Sequence, residues 1–398
     1  MVTGFVVETI STLKILGPLL AQAHLYGISP RIFIPEYRKG KPYDTVTPQL
    51  LIVTFPYLTE QDIHTYGTDA LDSSVQKQQV DRLVLLNPYR NFSKEVIALA
   101  NRNIEVFGLD YFINSIYVAA SQDDSQKIED SLSKLTSRVV ASDFWRDLEF
   151  RVQPNHQKWA TKFHSLGSTL LDAFDGVSEE QARQKLSLLQ DKPIVSVFTP
   201  NIRDHQAYFF YGPATVYALH RLAQLLRRYC DERGYYLVVK SRAKQWDAKP
   251  FLKVADHYIQ DLPEQIYPST STLLLKASRL ALHFGSMMVL EAAGIKVPSI
   301  AFAPDKVDKL HAYMRPEVRA LLKDAVLSTG NESLMNFKNV SRSVSMWPTL
   351  KHFSNLADSM NTSLVEAEYE EFNTKFSGWD TNTSATGRIL KHFANESI

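Results

Sequence analysis

Cysteine is almost absent from this sequence, which has one, Cys230, among 398 residues. A single cysteine excludes an internal disulfide and favours folding in a reducing compartment, so we expect a cytoplasmic protein. Cys230 lies at a packing position in a stretch with helical spacing of apolar residues, 217–233. We therefore interpret it as an inert core residue.

An excess of charge of one sign is also missing. The chain has 44 Lys and Arg against 43 Asp and Glu, a formal net charge of +1. Without a basic surplus, the chain as a whole does not attract nucleic acid or an anionic membrane. The sequence predicts no nucleic-acid partner and at most peripheral membrane contact.

Long hydrophobic runs are lacking as well, because no run approaches the ~18–20 apolar residues that span a bilayer. Residues 1–20 have no basic start and no small-residue cleavage site, so they indicate a strand and a helix rather than a signal peptide. What is present is the composition of a globular protein, 44% hydrophobic and 22% charged, over a length typical of two domains.

The first half alternates short strand-like runs with helix-compatible stretches. Such alternation predicts parallel strands joined by right-handed crossovers, hence a doubly wound sheet. We assign residues 1–167 to this N-terminal Rossmann-like domain, a candidate acceptor domain. Its predicted strands are 4–7, 31–35, 51–55, 82–86, 105–108, 139–141 and 162–166.

The same alternation restarts in the second half and predicts a second Rossmann-like domain at residues 168–345. Residues 346–398 form a C-terminal segment with helices at 350–360 and 364–372. The Asn, Thr, Ser and Gly that follow predict a partly loose tail. The fold class is therefore α/β, with two doubly wound parallel-sheet domains facing a cleft. The predicted strands of the second domain are 193–199, 235–240, 280–284 and 299–302.

One strand–turn–helix segment carries the strongest local signal for chemistry. A strand ends at His283 or Phe284, Gly285 and Ser286 form a tight turn, and a helix begins at once. This order places backbone N–H groups at the carboxyl edge of a parallel sheet, where they favour a phosphate. Gly285 permits close approach of an anion, and the Ser286 hydroxyl is suited to cap the helix or contact phosphate.

Glu291 lies one turn further along the predicted helix, within reach of a ribose diol. Spacing alone leaves two interpretations open. A Gly-Ser turn before a helix is a common capping device, and a helical glutamate is commonly solvated.

A wider set of residues resembles the donor-binding domain of GT-B-fold glycosyltransferases. It is also similar to sugar-nucleotide 2-epimerases and CDP-glycerol glycerophosphotransferases. In those families the Gly-Ser turn contacts the donor diphosphate and the glutamate contacts the ribose. The resemblance implies that Gly285, Ser286, Met287 and Glu291 bind the donor. The matching residues are Tyr267-Pro268, Leu273-Leu274, Ala277-Ser278, His283-Phe284-Gly285-Ser286, Glu291-Ala292-Ala293-Gly294 and Val297-Pro298.

Two cation-bearing segments agree with this resemblance. The segment 199–204, with Arg203, is similar to a Pro-Thr-aromatic-Arg-Asp loop of the glycerophosphotransferases. Lys240 and Arg242 occupy the place of the family's Lys-x-His-Pro, although Ser241 and Arg242 replace its His-Pro. Arg203, Lys240 and Arg242 are thus candidate diphosphate contacts. Alternatively, Lys240 only ends a strand, and Arg203 pairs with Asp204.

Three residues are candidates for a catalytic base. An inverting transfer needs a carboxylate or histidine near the acceptor hydroxyl, whereas a retaining transfer does not. Glu8 and Asp110 each follow a predicted strand, where side chains line the crevice of a doubly wound sheet. His205 lies in the loop after the first strand of the second half.

Signals for a metal or a cofactor are absent from the sequence. We find no Asp-x-Asp triplet, no P-loop and no G-x-G-x-x-G, and the histidines lack ligand spacing. No metal ion and no cofactor is implied.

Together these observations predict a metal-independent glycosyltransferase. It would move a sugar or polyol phosphate from a nucleotide-activated sugar donor to a carbohydrate or lipid-linked acceptor, in surface polysaccharide or glycan synthesis. Two alternatives stay open, a sugar-nucleotide epimerase and a non-catalytic nucleotide- or glycan-binding protein of the same fold.

Overall fold

A computed structural model of the chain separates it into two units. Unit 1 comprises Met1–Ala173 and Thr374–Ile398, and unit 2 comprises Phe174–Asn373. The sequence instead placed its domain boundaries at 167 and 345. The structure describes residues 1–36, 45–67, 70–86, 92–110, 125–174, 176–188, 191–199, 215–241, 249–261, 267–303, 316–327, 332–362 and 365–395.

Unit 1 contains a seven-stranded sheet in the order β3-β2-β1-β4-β5-β6-β7. All neighbouring strands are parallel, as the predicted α/β alternation requires. The strand order reverses direction between β1 and β4. The strands are β1 Val2–Val6, β2 Ser29–Pro35, β3 Ile63–Tyr66, β4 Arg82–Leu86, β5 Glu105–Leu109, β6 Ser137–Val140 and β7 Phe163–Ser165.

Helices connect these strands and bury apolar side chains against the sheet. Leu83 of β4, Val96 and Leu132 belong to one buried cluster, which is the packing expected of a doubly wound unit. The helices are α1 Leu13–Gln22, α2 Pro48–Thr54, α3 Leu71–Lys77, α4 Ser93–Ala100, α5 Ser125–Lys134 and α6 Asp143–Val152.

The prediction of a strand at 51–55 is wrong, because this apolar run lies largely in α2. The Thr47 side chain caps the helix by accepting a hydrogen bond from the Leu50 N–H at 3.2 Å. Pro48 occupies the first turn, where its missing N–H has no helical partner to lose. These two start signals outweigh the strand propensity of the residues that follow.

Unit 2 contains an eight-stranded sheet in the order β10-β9-β8-β11-β12-β15-β14-β13. The first six strands in this order, from β10 to β15, pair in parallel with their neighbours. The pairs β15–β14 and β14–β13 are antiparallel. The strands are β8 Ile194–Phe198, β9 Tyr236–Ser241, β10 His257–Gln260, β11 Leu280–His283, β12 Ser299–Ala303, β13 Glu332–Ser333, β14 Asn336–Phe337 and β15 Ser341–Ser345.

The longest helix of unit 2, α8, packs on this sheet through its apolar face. Leu226 and Cys230 are fully buried in a cluster with Leu282 of β11. Burial raises the pKa of the Cys230 thiol to about 12, which confirms Cys230 as an inert core residue. The helices are α7 Glu179–Lys185, α8 Thr215–Arg233, α9 Lys249–Leu252, α10 Thr270–Lys276, α11 Met288–Gly294, α12 Pro316–Leu322, α13 Leu350–Thr362 and α14 Glu366–Phe372.

The segment from Thr374 onward belongs to unit 1 and contains helix α15, Ala385–Ala394. This differs from the loose tail that the composition predicted. Ser384 caps α15 by accepting from the Gly387 N–H at 3.0 Å, and Leu390 and Phe393 are fully buried. The composition of this segment is mostly polar, but its few apolar residues recur with helical spacing. This spacing places them on one face of the helix, and that face is buried.

No helix within the described ranges is both long and apolar enough to cross a membrane.

His392 makes the docking of α15 sensitive to pH. Its Nε2 lies 2.7 Å from the Ser137 hydroxyl. Burial, with smaller contributions from His164 and Arg82, lowers the pKa of His392 from 6.5 to about 4. The unfolded chain therefore binds a proton between these pH values that the folded chain does not. Stability that is present above pH 6.5 is lost as the pH falls toward 4.

We expect the free energy of unfolding to fall by about 1 kcal/mol through this group between pH 7.5 and pH 5, allowing for screening of a half-buried ring. Urea unfolding at both pH values measures the change. The variant His392→Gln, which keeps a polar group facing Ser137, should have a smaller pH dependence. An equal pH dependence in both proteins would contradict the assignment.

Candidate functional site

The strand order of unit 2 creates a crevice position between β8 and β11. The chain proceeds outward from β8 through β9 to β10 on one side, and from β11 to β12 on the other. β8 and β11 are parallel neighbours, with Val197 opposite Leu282. In open α/β sheets, ligands bind outside the carboxyl ends of the two strands at such a reversal.

The predicted turn lies directly at the carboxyl end of β11. Gly285 has φ +63°, a left-handed conformation that side chains other than glycine rarely adopt. The Ser286 Oγ accepts a hydrogen bond from the Met288 N–H at 3.2 Å. The structure thus contains the strand, the tight turn and the helix that the sequence predicted, with α11 beginning at Met288.

His283 holds this turn in place. The Nδ1 atom of its fully buried ring accepts a hydrogen bond from the Ser286 N–H at 3.1 Å. An accepting Nδ1 places the ring proton on Nε2, and burial lowers the pKa of His283 to about 3, so the ring stays neutral. From the sequence alone, His283 was predicted only to end a strand. Its position three residues before Ser286 was the available signal that it accepts a hydrogen bond from the turn.

Glu291 lies in α11 and is 3% exposed. This burial is inconsistent with the alternative of a solvated helical glutamate. Carboxylates are rarely buried unless they are paired or serve a site. The structure therefore brings Gly285, Ser286, Met287 and Glu291 together within one strand–turn–helix segment.

Lys240 lies at the end of β9, and its side chain is buried. Its Nζ donates a hydrogen bond to the half-exposed Asp261 carboxylate at 2.5 Å. Its carbonyl accepts from the Thr199 N–H at 3.0 Å, which ties the ends of β8 and β9 together. Lys240 is thus a buried cation at the carboxyl edge of the sheet, and its contact with a diphosphate stays a prediction.

Arg203, His205 and Arg242 lie outside the described residues. They follow β8 and β9 in the chain, and their roles stay predictions.

Asp110 lies directly after β5 of unit 1 and belongs to a buried ionic cluster. Its Oδ2 accepts a hydrogen bond from Arg138 Nε at 2.8 Å. Arg138 also pairs with Glu149, whose Oε1 is 2.8 Å from His156 Nδ1. Burial by itself raises the pKa of Glu149, but the charge of Arg138 and hydrogen bonds from His156 and Arg138 outweigh burial and lower it.

This cluster gives Asp110 a structural contact that the sequence did not reveal. Glu8, the other carboxylate candidate, is half-buried two residues beyond β1, beside the strand reversal of unit 1. The structure places Glu8 after β1 and Asp110 after β5, as predicted. Their role as a base stays a prediction.

The chain matches no protein-family model, and no curated protein.

Solved structures, in contrast, match over nearly the whole chain. A putative UDP-N-acetylglucosamine 2-epimerase from Listeria monocytogenes matches with a TM-score of 0.63 at 11% identity, over 100% of this chain and 97% of that one. A UDP-GlcNAc 2-epimerase from Neisseria meningitidis, bound to UDP-GlcNAc, matches with a TM-score of 0.59 at 12% identity, over 100% of both chains. The wall teichoic acid polymerase TagF matches with a TM-score of 0.59 at 11% identity, over 99% of this chain and 87% of that one.

Identities this low establish the architecture of the backbone and no more. The two parallel-dominated sheets, with helices between their strands, are the arrangement of these neighbours. The chain therefore has an α/β fold built from two Rossmann-like units, as these neighbours have.

Proposed function

We propose that this protein is a glycosyltransferase that moves a sugar or polyol phosphate from a nucleotide diphosphate donor to a hydroxyl acceptor. The observation that carries the proposal is the turn Gly285-Ser286 at the strand reversal of the unit 2 sheet. In a GT-B fold this crevice is suited to a nucleotide. The donor would lie along the carboxyl ends of β8, β9 and β11.

The open space beside Gly285 supports a phosphate at the turn. Among the described residues, no heavy atom beyond Gly285 and its two chain neighbours lies within 4 Å of the position that a Cβ would occupy there. The N–H groups of Ser286 and Met288 are already bonded within the turn. The turn therefore contributes shape and the positive end of a short helix, while the diphosphate charge calls for cations. Lys240, Arg203 and Arg242 are the proposed source of that charge.

In the proposed transfer of a sugar, the acceptor oxygen attacks the anomeric carbon of the donor sugar while the bond from that carbon to the diphosphate oxygen breaks. The departing nucleotide carries the negative charge that develops, and the cations stabilise it. The acceptor proton passes to a base, for which Glu8, Asp110 and His205 are the candidates.

The reaction belongs, in this proposal, to surface polysaccharide or glycan synthesis in the cytoplasm. The lone buried thiol of Cys230 suits a reducing compartment.

A second candidate function, sugar-nucleotide epimerisation, is supported by the full-length match to a 2-epimerase bound to UDP-GlcNAc. Product analysis separates the candidates. A transferase releases the nucleotide when an acceptor is present, whereas an epimerase yields an isomer of unchanged mass. Binding without either product would indicate the third alternative, a non-catalytic protein.

Glu291→Gln tests the donor site directly. Thermal shift with UDP, GDP, CDP and CMP and their sugar derivatives should show selective stabilisation by one nucleotide. A carboxylate that accepts from ribose hydroxyls is worth about 1.5–3 kcal/mol, so the variant should bind that nucleotide about tenfold or more weakly. Glu232→Gln, at an exposed glutamate of the same unit, should bind like the parent protein. Failure of every nucleotide to stabilise the parent protein would reject the donor site.

A further inference from the structure

Unit 1 contains a pocket of about 610 Å³, and none of the predicted site residues that the structure describes is among its lining residues. Its inner wall lies at the carboxyl ends of two parallel neighbours, β6 and β7. Ser142 lies two residues beyond β6, and Ser165 is the last residue of β7. Thr374–Thr381 and Arg388 of α15 supply the opposite wall. The pocket thus has the volume of a small-molecule site.

Close backbone packing holds this opposite wall in place. A Cβ on Gly378 would overlap the carbonyl oxygen of Ala141, so only glycine lets the segment lie against the end of β6. Arg388 then ties the segment down, because its Nη2 donates to the Gly378 carbonyl at 2.7 Å and its Nε to the Leu166 carbonyl at 2.9 Å. The pocket is therefore preformed.

Two aromatic side chains line the pocket, Phe144 and Trp379. Trp379 is 36% exposed, whereas tryptophan is usually well buried. The face of an aromatic ring packs well against an apolar surface whose edge carries polar groups. The C–H face of a sugar ring, rimmed by hydroxyl groups, is such a surface.

The charges of the pocket are balanced rather than cationic. The lining carries two carboxylates, Asp143 and Asp380, and two cations, Lys375 and Arg388. Asp380 lies 3.6 Å from Arg388, and Asp143 lies 2.8 Å from Arg146. The Arg388 guanidinium donates to three backbone carbonyls, those of Leu166, Thr383 and Gly378. Because of these hydrogen bonds, the Arg388 guanidinium is not available to bind a phosphate in a bidentate manner. Carboxylates and hydroxyls instead suit a ligand that donates hydrogen bonds.

We propose that this pocket binds an uncharged sugar ring, stacked on Trp379 and hydrogen-bonded through Asp143 and Asp380. That the ring belongs to the acceptor carbohydrate rests on the proposed function. The binding itself rests on the pocket and does not require it.

Saturation-transfer NMR tests the proposal, with the methyl glycosides of glucose, galactose, mannose and N-acetylglucosamine as probes. At least one glycoside should receive saturation at its ring protons. Trp379→Ala should reduce this signal more than fivefold. Asp143→Asn, at a carboxylate that is 66% exposed and whose surface ion pair contributes about 0–1 kcal/mol to stability, should reduce it at least threefold. Trp347→Ala, at a half-buried tryptophan of unit 2, should leave it unchanged.

Three results would overturn the proposal. The first is that none of the four glycosides receives saturation. The second is that the parent protein and both pocket variants give equal signals, and the third is that inorganic phosphate displaces the glycoside. The nucleotide experiment with Glu291→Gln separates this failure from that of the proposed function. Nucleotide binding without glycoside binding would reject only the proposed sugar site. Glycoside binding without nucleotide binding would reject only the proposed transferase function.

Discussion

Replacing Arg138 by leucine is expected to lower the free energy of unfolding by about 3–5 kcal/mol, the typical effect of breaking a buried ion pair from one side. Arg138 is fully buried and pairs with both Asp110 and Glu149, which are 4% and 2% exposed. Leucine fills part of the space and leaves two carboxylates buried without their cation. Either the carboxylates take up protons or the surrounding structure opens to admit water, and both outcomes are unfavourable.

Urea unfolding at pH 7 measures this effect. Arg146→Leu is the matched control, because Arg146 pairs with Asp143 and Asp147 on α6 at a side-chain exposure of 31%. Exposed pairs contribute about 0–1 kcal/mol, so the control should stay within that range. The variant Arg138→Met combined with Asp110→Asn and Glu149→Gln should recover part of the loss, because it removes the buried charges. A loss below about 1 kcal/mol for Arg138→Leu would contradict this account.

Gly378→Ala is expected to lower the stability of unit 1 by about 2–5 kcal/mol, from two additive causes. Gly378 has φ +61°, and a side chain in the left-handed region costs about 1–2 kcal/mol. Its Cβ would also overlap the Ala141 carbonyl oxygen and crowd Gly167. Forcing an atom into a packed site costs about 1–3 kcal/mol more.

Gly27→Ala separates the two causes. Gly27 has nearly the same φ, +65°, but in the part of the chain that the structure describes no heavy atom beyond Gly27 and its two neighbours lies within 4 Å of its Cβ position. This control should show only the conformational contribution, about 1–2 kcal/mol. Chemical denaturation of both variants gives the difference, which measures the packing contribution. Equal losses of stability in the two variants would show that Thr374–Thr381 shifts to accommodate the added Cβ at no energetic cost.

Elements with strong local patterns were predicted correctly. β4, β5, β8 and β9 are largely apolar runs, and such runs form the buried strands of parallel sheets. In contrast, β3 has the polar residues His64 and Thr65 and the sequence analysis missed it, because a strand at a sheet edge needs less apolar surface. The run at 51–55 shows the reverse error, since apolar content alone does not distinguish a strand from a helix.

The candidate donor site was predictable because its residues are neighbours in the chain. His283, Gly285, Ser286 and Glu291 span nine residues, and a glycine at a strand–helix junction is a local signal. The contact between His283 and Ser286 is equally local. Its detection needed only the geometry of the turn.

The sequence by itself determined the alternation of strands and helices and the turn at 285–286, because hydrophobic spacing and glycine conformation act over a few residues. Only the tertiary structure decided the Arg138 cluster, the pairing of Lys240 with Asp261 and the pocket beside Trp379. Trp379 meets the ends of β6 and β7 across more than two hundred residues of chain. No local preference encodes such contacts, which arise when the buried faces of distant segments pack together.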